Sequence, residues 1–266
     1  MPSHAEGGRG SPGTGRLAIV GIGPGALDQM TPRAREAIAS ADCIVGNGLY
    51  LDLIAPLLTG KEILRSSMGK EVERARQAVE LACSRSVAVV SGGDPGVYGM
   101  ASIVLEVLER SGLDIPVEVV PGVTAATAAA SLLGAPLSGD FMVASLSDLL
   151  TPWEEIERRL DLAFRLGVPV VLYNPRSRGR RDHLATALAI AERHLPPETP
   201  VGIVKDACRE GEELAVTTLG EAGGRIGDVD MHSTVIIGGR GSRIWRRGKD
   251  ARGIITPRGY ERKYLY

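Results

Sequence analysis

Short, uniformly apolar runs alternate along the chain with longer segments in which apolar residues recur every three to four positions. Residues 17–22, 43–45, 87–90 and 117–120 are β-branched-rich runs of the first kind, and the pattern predicts a buried strand at each. Helices are predicted between them. Thr31 supplies a capping oxygen ahead of Pro32, which suits a first helical position, so a helix runs from there to about Ala41. Val72, Ala75, Val79 and Ala82 share one face of a helix over 70–83, and a third helix covers about 98–110. Continuous apolar strands separated by helices imply parallel pairing and an α/β fold.

The stretch Gly134-Ala135-Pro136-Leu137-Ser138-Gly139 interrupts this pattern and reads as a linker. Beyond it, strands are predicted at 142–146, 168–173, 201–204, 214–217 and 234–237. Thr151 is placed to cap a helix with Pro152 at its first position. Glu154 and Glu155 lie in its first turn, where they favour the dipole, and Trp153, Ile156, Leu160 and Ala163 form its apolar stripe. The later connections are short enough for antiparallel neighbours, so the second lobe is mixed. The expected organisation is a disordered tail over 1–16, an N-terminal α/β lobe over 17–134, a C-terminal α/β lobe over 135–239 and a basic extension over 240–266.

Composition narrows the classes of function. With 31 basic and 32 acidic residues the net charge is −1, which gives no overall field for nucleic acid. Aromatic residues are only 4% of the chain, so Ala, Val, Leu and Ile must build the core. Cys43, Cys83 and Cys208 are scattered and form no CxxC, which excludes a disulfide framework, a zinc finger and an iron–sulfur motif. His4, His183, His194 and His232 lack ligand spacing, so no metal site is expected. No apolar run approaches the ~20 residues that span a bilayer. These features describe a reduced, cytoplasmic protein with no membrane or nucleic-acid partner. Charge is concentrated only beyond Gly239, where nine Lys/Arg face Asp250 and Glu261. That segment reads as a solvated tail or peripheral wrap, or else as a patch for a polyanion.

Candidate chemistry lies in glycine-rich strand ends. Gly21-Ile22-Gly23-Pro24-Gly25-Ala26 satisfies the dinucleotide pattern literally. Pro24, however, removes an N–H from the turn that would cradle pyrophosphate, and Asp42 precedes the second strand instead of ending it. Gly92-Gly93-Asp94-Pro95-Gly96-Val97-Tyr98 and Pro121-Gly122-Val123-Thr124-Ala125 follow two further strands of the same lobe. None carries the lysine of a nucleoside triphosphate site. Three such loops at the carboxyl ends of strands in one lobe predict a small-molecule cleft.

Together these segments resemble the signatures of the tetrapyrrole (corrin/porphyrin) methyltransferases, in matching order from about Leu17 to Gly239. The block Ser145-Leu146-Ser147-Asp148-Leu149-Leu150-Thr151-Pro152-Trp153-Glu154, with Tyr173-Asn174-Pro175, is similar to the branch that methylates C(17) of precorrin-3B in cobalamin biosynthesis. Gly92, where serine is frequent, and Asn47-Gly48 depart from it. The resemblance implies two α/β lobes with S-adenosylmethionine in the cleft between them, held by Pro24, Gly92, Gly93, Asp94, Val97, Thr124, Ala125, Asn174 and Ala207. It also implies a polycarboxylate tetrapyrrole substrate and a homodimer. Methyl transfer is coupled in that branch to ring contraction, which requires proton transfer at the C(20) oxygen. Asp148, Ser147 and Glu71 are the candidate catalytic groups; the alternatives are a turn cap for Ser147 or Asp148 and a solvated helix acid for Glu71. Ser67 and Met68 are candidate substrate contacts. Arg176 and Arg178, with Arg180 and Arg181, could clamp carboxylates or simply start an exposed helix. Four alternatives stay open: the same step on a cobalt-containing substrate, another methyltransferase of this fold acting on uroporphyrinogen or on a protein or RNA acceptor (which would lack the 145–154 block), a dinucleotide-dependent oxidoreductase, and a non-catalytic tetrapyrrole carrier.

Overall fold

A computed structural model describes residues 15–177 and 179–265; residues 1–14 of the expected tail, and Arg178, lie outside the described residues. The chain divides into two compact units, one ending at Val123 and the other beginning at Thr124.

The first unit runs β1 (Arg16–Gly21), α1 (Pro32–Ser40), β2 (Cys43–Asn47), α2 (Gly48–Leu53), β3 (Glu62–Ser66), α3 (Glu71–Leu81), β4 (Ser86–Ser91), α4 (Ala101–Ser111) and β5 (Val117–Val120). Its strands form one parallel sheet in the order β3-β2-β4-β1-β5. The two-residue period of a strand explains why both faces are apolar. Leu17, Ile19, Val87 and Val89 pack with α3 and α4, whereas Val20, Ile44, Ala88 and Val90 pack with α1 and α2. As expected, Thr31 caps α1, its Oγ1 accepting the Ala34 N–H at 3.1 Å, and Pro32 is the first helical residue. One helical face differs from expectation: Val72 is exposed, and Arg74 takes the inward place beside Ala75, Ala78 and Val79.

The second unit runs α5 (Ala125–Leu133), β6 (Gly134–Ala135), β7 (Met142–Ser145), α6 (Trp153–Leu166), β8 (Val170–Tyr173), α7 (His183–Glu192), β9 (Pro200–Lys205), β10 (Glu213–Thr218), α8 (Leu219–Ala222), β11 (Ser233–Ile237), β12 (Arg243–Arg247) and β13 (Asp250–Ile255). The main sheet has the order β10-β9-β11-β8-β7 and is mixed: only β7 and β8 pair in parallel. α5 covers one face of this sheet, with Ala126, Ala129, Ala130 and Leu133 against Val171, Val204 and Ile236. That packing explains why the break falls before α5, whereas the sequence expectation placed it at 134/135. The supposed linker also carries structure, since Gly134-Ala135 pairs with Ile254-Ile255. α6 and α7 cover the other face through Ile156, Leu160, Phe164, Leu184 and Leu188. α6 begins at Trp153 with Pro152 before it and no side-chain cap, so Thr151 does not cap it as expected.

The basic segment is not a solvated tail. β12 and β13 form a hairpin joined to β6, with Ile254 fully buried beneath it and its arginines facing out. Among the described residues, no helix is long and apolar enough to cross a membrane.

Candidate functional site

Parallel pairing brings the loops after β1, β4 and β5 to one edge of the first sheet. There they are fastened to one another. Gly23 and Gly93 exchange main-chain hydrogen bonds of 3.1 and 2.8 Å, and the Ile22 N–H donates to the Ser91 carbonyl at 3.0 Å. Asp94 is the clasp: Oδ1 accepts the Gly96 N–H at 2.8 Å and Oδ2 accepts the Gly122 N–H at 3.0 Å. Its carboxylate therefore holds two loops together before it can meet any ligand. The glycines divide by role. A Cβ on Gly122 would lie 2.2 Å from the Gly93 carbonyl oxygen, and one on Gly21 would lie 2.7 Å from that same atom, so both are needed for loop-on-loop contact. A Cβ on Gly92 would strike the Tyr50 ring at 2.4 Å. Pro24 is buried and Val97 half-buried in the same loop cluster, and Tyr98 adopts φ 51°, a left-handed conformation unusual for a bulky side chain.

At the end of β3, Ser67 and Met68 are exposed. The side chain of Glu71 is 41% exposed but held in place. Its Oε1 accepts the Gly69 N–H at 3.0 Å and faces Arg74 Nη2 at 3.5 Å. Arg74, only 3% exposed, donates from Nη1 to Ser66 Oγ at 2.5 Å and to the Ser67 carbonyl at 3.3 Å, while Nη2 reaches Met100 Sδ at 3.5 Å. Sequence reasoning missed it, because an arginine inside a helical pattern is ordinarily assigned to the wet face.

In the second unit, Tyr173 Oη shares a 2.6 Å hydrogen bond with Thr124 Oγ1 and accepts the Ala126 N–H at 2.7 Å, tying the first turn of α5 to the end of β8. Tyr173→Phe should cost about 1–2 kcal/mol of second-unit stability, read from urea unfolding. Asn174 stands in the left-handed region (φ 51°) and donates from Nδ2 to Ser145 Oγ at 2.9 Å. Ala207 sits between two more left-handed residues, Asp206 (φ 47°) and Cys208 (φ 56°). Residues held in such conformations cluster where a loop is shaped for a ligand. Next to this loop, burial pushes the Asp230 pKa up, but the hydrogen bond from Lys205, 2.9 Å away, and the His232 N–H hold it below the usual carboxylate value.

Ser147 and Asp148 are brought together with two residues that spacing did not link to them. Arg180 Nη1 donates to Ser147 Oγ at 3.1 Å and lies 3.9 Å from Asp148 Oδ1. His183 Nε2 lies 3.8 Å from Asp148 Oδ2. The Leu146 carbonyl can only accept, so at 2.9 Å it places the His183 hydrogen on Nδ1, and Trp153 stacks on the ring at 3.9 Å. Arg176 is committed elsewhere: its Nη1 reaches the carbonyls of Ile226, Gly227 and Val229 at 3.3–3.5 Å. Its Nη1 therefore buttresses a loop, while its Nε is buried without a hydrogen-bond partner. Arg178 lies outside the described residues.

This is the edge geometry of an α/β ligand-binding enzyme: parallel strands ending in glycine loops, with polar and titratable side chains gathered at the ends of further strands. Residues 16–223 match the family described as Tetrapyrrole (Corrin/Porphyrin) Methylases, and the chain belongs to that family. It is 45% identical over 245 residues to a probable cobalt-factor III C(17)-methyltransferase of Salmonella typhimurium, covering 92% of this chain and 99% of that one. It is 41% identical over 251 residues to a precorrin-3B C(17)-methyltransferase of a Sinorhizobium species, covering 93% of this chain and 98% of that one. The crystal structure of the methyltransferase CobJ superposes with a TM-score of 0.84 at 34% identity, over 91% of this chain and all of that one. A Thermus thermophilus uroporphyrin-III C-methyltransferase complexed with S-adenosylhomocysteine superposes with a TM-score of 0.67 at 26% identity, over 84% of this chain and 97% of that one.

Proposed function

We propose that this protein transfers a methyl group from S-adenosylmethionine to C(17) of precorrin-3B and contracts the ring in the same step, within cobalamin biosynthesis. The same chemistry on cobalt-factor III is the second reading, favoured by the 45% identity to the Salmonella relative. The observation that carries the proposal is the fastening of the loops after β1, β4 and β5 by the Gly23–Gly93 pair and the Asp94 clasp. The residues fit a zwitterionic cofactor with a flat apolar end: main-chain groups of Pro24 and Gly92, with the second lone pair of the Gly93 carbonyl, for the polar end, and Val97 for the apolar one. Thr124, Ala125, Asn174 and Ala207, all in the second unit, are assigned to the cofactor on the resemblance. When bound, S-adenosylmethionine supplies an electrophilic methyl group on a sulfonium.

What the chain itself must do is hold the reacting carbon in line, which can contribute roughly 7–11 kcal/mol, and handle a proton during contraction. Asp148 and Ser147 are the groups assigned to that proton; Glu71 is reassigned to positioning, because its carboxylate already holds Gly69 and Arg74. The homodimer belongs to the same reading and rests on the resemblance, whereas the cytoplasmic location rests on composition and cysteine usage.

Isothermal titration with S-adenosylhomocysteine tests the cofactor assignment. Micromolar binding by the wild type, lost in Val97→Trp, is expected. Binding of NAD in its place would return the β1 loop to a dinucleotide role. Mass and NMR analysis of the products from precorrin-3B and cobalt-factor III then distinguishes the two substrates.

A further inference from the structure

We infer that Arg180 is the anchor for one carboxylate arm of the macrocycle, framed for that task by Ser147 and Asp148; this rests on the tetrapyrrole reading above. The loop that carries Arg180 is closed on itself, Arg180 and Ser177 exchanging main-chain hydrogen bonds of 3.2 and 3.3 Å. Its side chain is only 12% exposed. A guanidinium so enclosed ordinarily closes on a carboxylate, often with two parallel hydrogen bonds. Arg180 does not. Nη1 reaches Ser147 Oγ, Nη2 faces only the weakly accepting sulfur of Met231 at 3.7 Å, and Nε is buried with no partner. The nearest carboxylate, Asp148, stands 3.9 Å from Arg180 and 3.8 Å from His183 Nε2, so it closes on neither.

Other arginines of the second unit spend their donors differently. Arg159 closes on Glu155, Arg193 lies 3.3 Å from Asp161, and Arg176 is turned onto main-chain carbonyls. Among the arginines after β8 that the structure describes in contact, Arg176 and Arg180 each keep a buried Nε without a partner, but Arg176 spends Nη1 on three main-chain carbonyls, whereas Arg180 has one conventional acceptor, Ser147 Oγ, and stands beside Asp148. A planar fork of that kind matches a carboxylate, the group a polycarboxylate tetrapyrrole presents on its acetate and propionate arms.

The test compares the full-length wild type with Arg180→Gln and Arg180→Lys, and with Arg159→Gln as the same charge change on α6. Three quantities are read: S-adenosylhomocysteine affinity by calorimetry, affinity for the octacarboxylate uroporphyrin III by fluorescence titration, and KM and kcat for methyl transfer. Arg180→Gln should weaken uroporphyrin III and raise KM by about 10- to 100-fold, leaving S-adenosylhomocysteine affinity unchanged and kcat less affected than KM. Arg180→Lys should recover part of the loss, and Arg159→Gln should show none. Equal losses in Arg159→Gln, an unmoved KM, a fall in kcat alone, a parallel loss of S-adenosylhomocysteine affinity, or no uroporphyrin III binding by the wild type would each overturn the anchor. Failure of the methyltransferase reading looks different: the wild type would not bind S-adenosylhomocysteine, and it would methylate neither macrocycle.

Discussion

Gly122→Ala should disable the ligand edge of the first unit, costing about 2–3 kcal/mol of stability and abolishing S-adenosylhomocysteine binding. The added methyl would sit 2.2 Å from the Gly93 carbonyl oxygen, 2.9 Å from the Gly21 carbonyl carbon and 3.0 Å from the Gly21 Cα. All three are main-chain atoms, so no side chain can swing aside. Relief requires that the loops after β1, β4 and β5 separate, and this breaks the Asp94–Gly122 contact and strains the Gly23–Gly93 pair. Urea unfolding followed by circular dichroism, with calorimetry beside it, measures both losses. Gly139→Ala is the control: a Cβ there meets nothing within 4 Å, and the change should stay within about 0.5 kcal/mol. If the two variants behave alike, the three-loop contact is not what holds this edge.

Arg74→Ala should cost about 2–4 kcal/mol, from the emptied volume and from the Ser66 hydroxyl and Ser67 carbonyl left without their donor. Arg74→Met separates the two contributions. It keeps most of the volume beside Met100 and removes a buried charge whose single carboxylate partner, Glu71, is 3.5 Å away. The methionine variant restores the packing but not the donors to Ser66 and Ser67, so it should still cost about 1–3 kcal/mol, less than the alanine variant, and it should lose methyl transfer, because the segment carrying Ser67 and Met68 is no longer clamped. Unfolding curves and turnover on the accepted macrocycle check the pair. A methionine variant with full turnover would show that the clamp is dispensable.

The alternation of strand and helix in the first unit was legible because β1 and β4 are buried on both faces, leaving no polar position to blur the run. β3, Glu-Ile-Leu-Arg-Ser, was not legible, because an edge strand keeps polar side chains. α7 was missed for a different reason. His-Leu-Ala-Thr-Ala-Leu-Ala-Ile-Ala-Glu is apolar almost all round, so its moment is weak and the helical period does not stand out. At the site, the strand-end glycines were legible as turns. Spacing along the chain, however, does not reveal which glycines meet across loops, so the contact of Gly21 and Gly122 with each other and with Gly93 was hidden. His183 and Arg180 were similarly hidden, because the partners that give them meaning, Asp148 and Ser147, lie more than thirty residues away.

The small sheet β12-β13-β6 has a bearing on the order in which the chain can be assembled during synthesis. β6 has no strand partner until β13 exists, and Thr256 Oγ1 donates to the Pro136 carbonyl at 2.6 Å across 120 residues of sequence. The first sheet, by contrast, contains all its strands once Val120 has been made. Domains fold as units, from the N-terminal end first, and pairings that close long loops are slow. The nascent protein can thus carry a finished first unit while the apolar underside of α5 is still waiting for its last strand, a window in which that surface is open to chaperones and to misassembly.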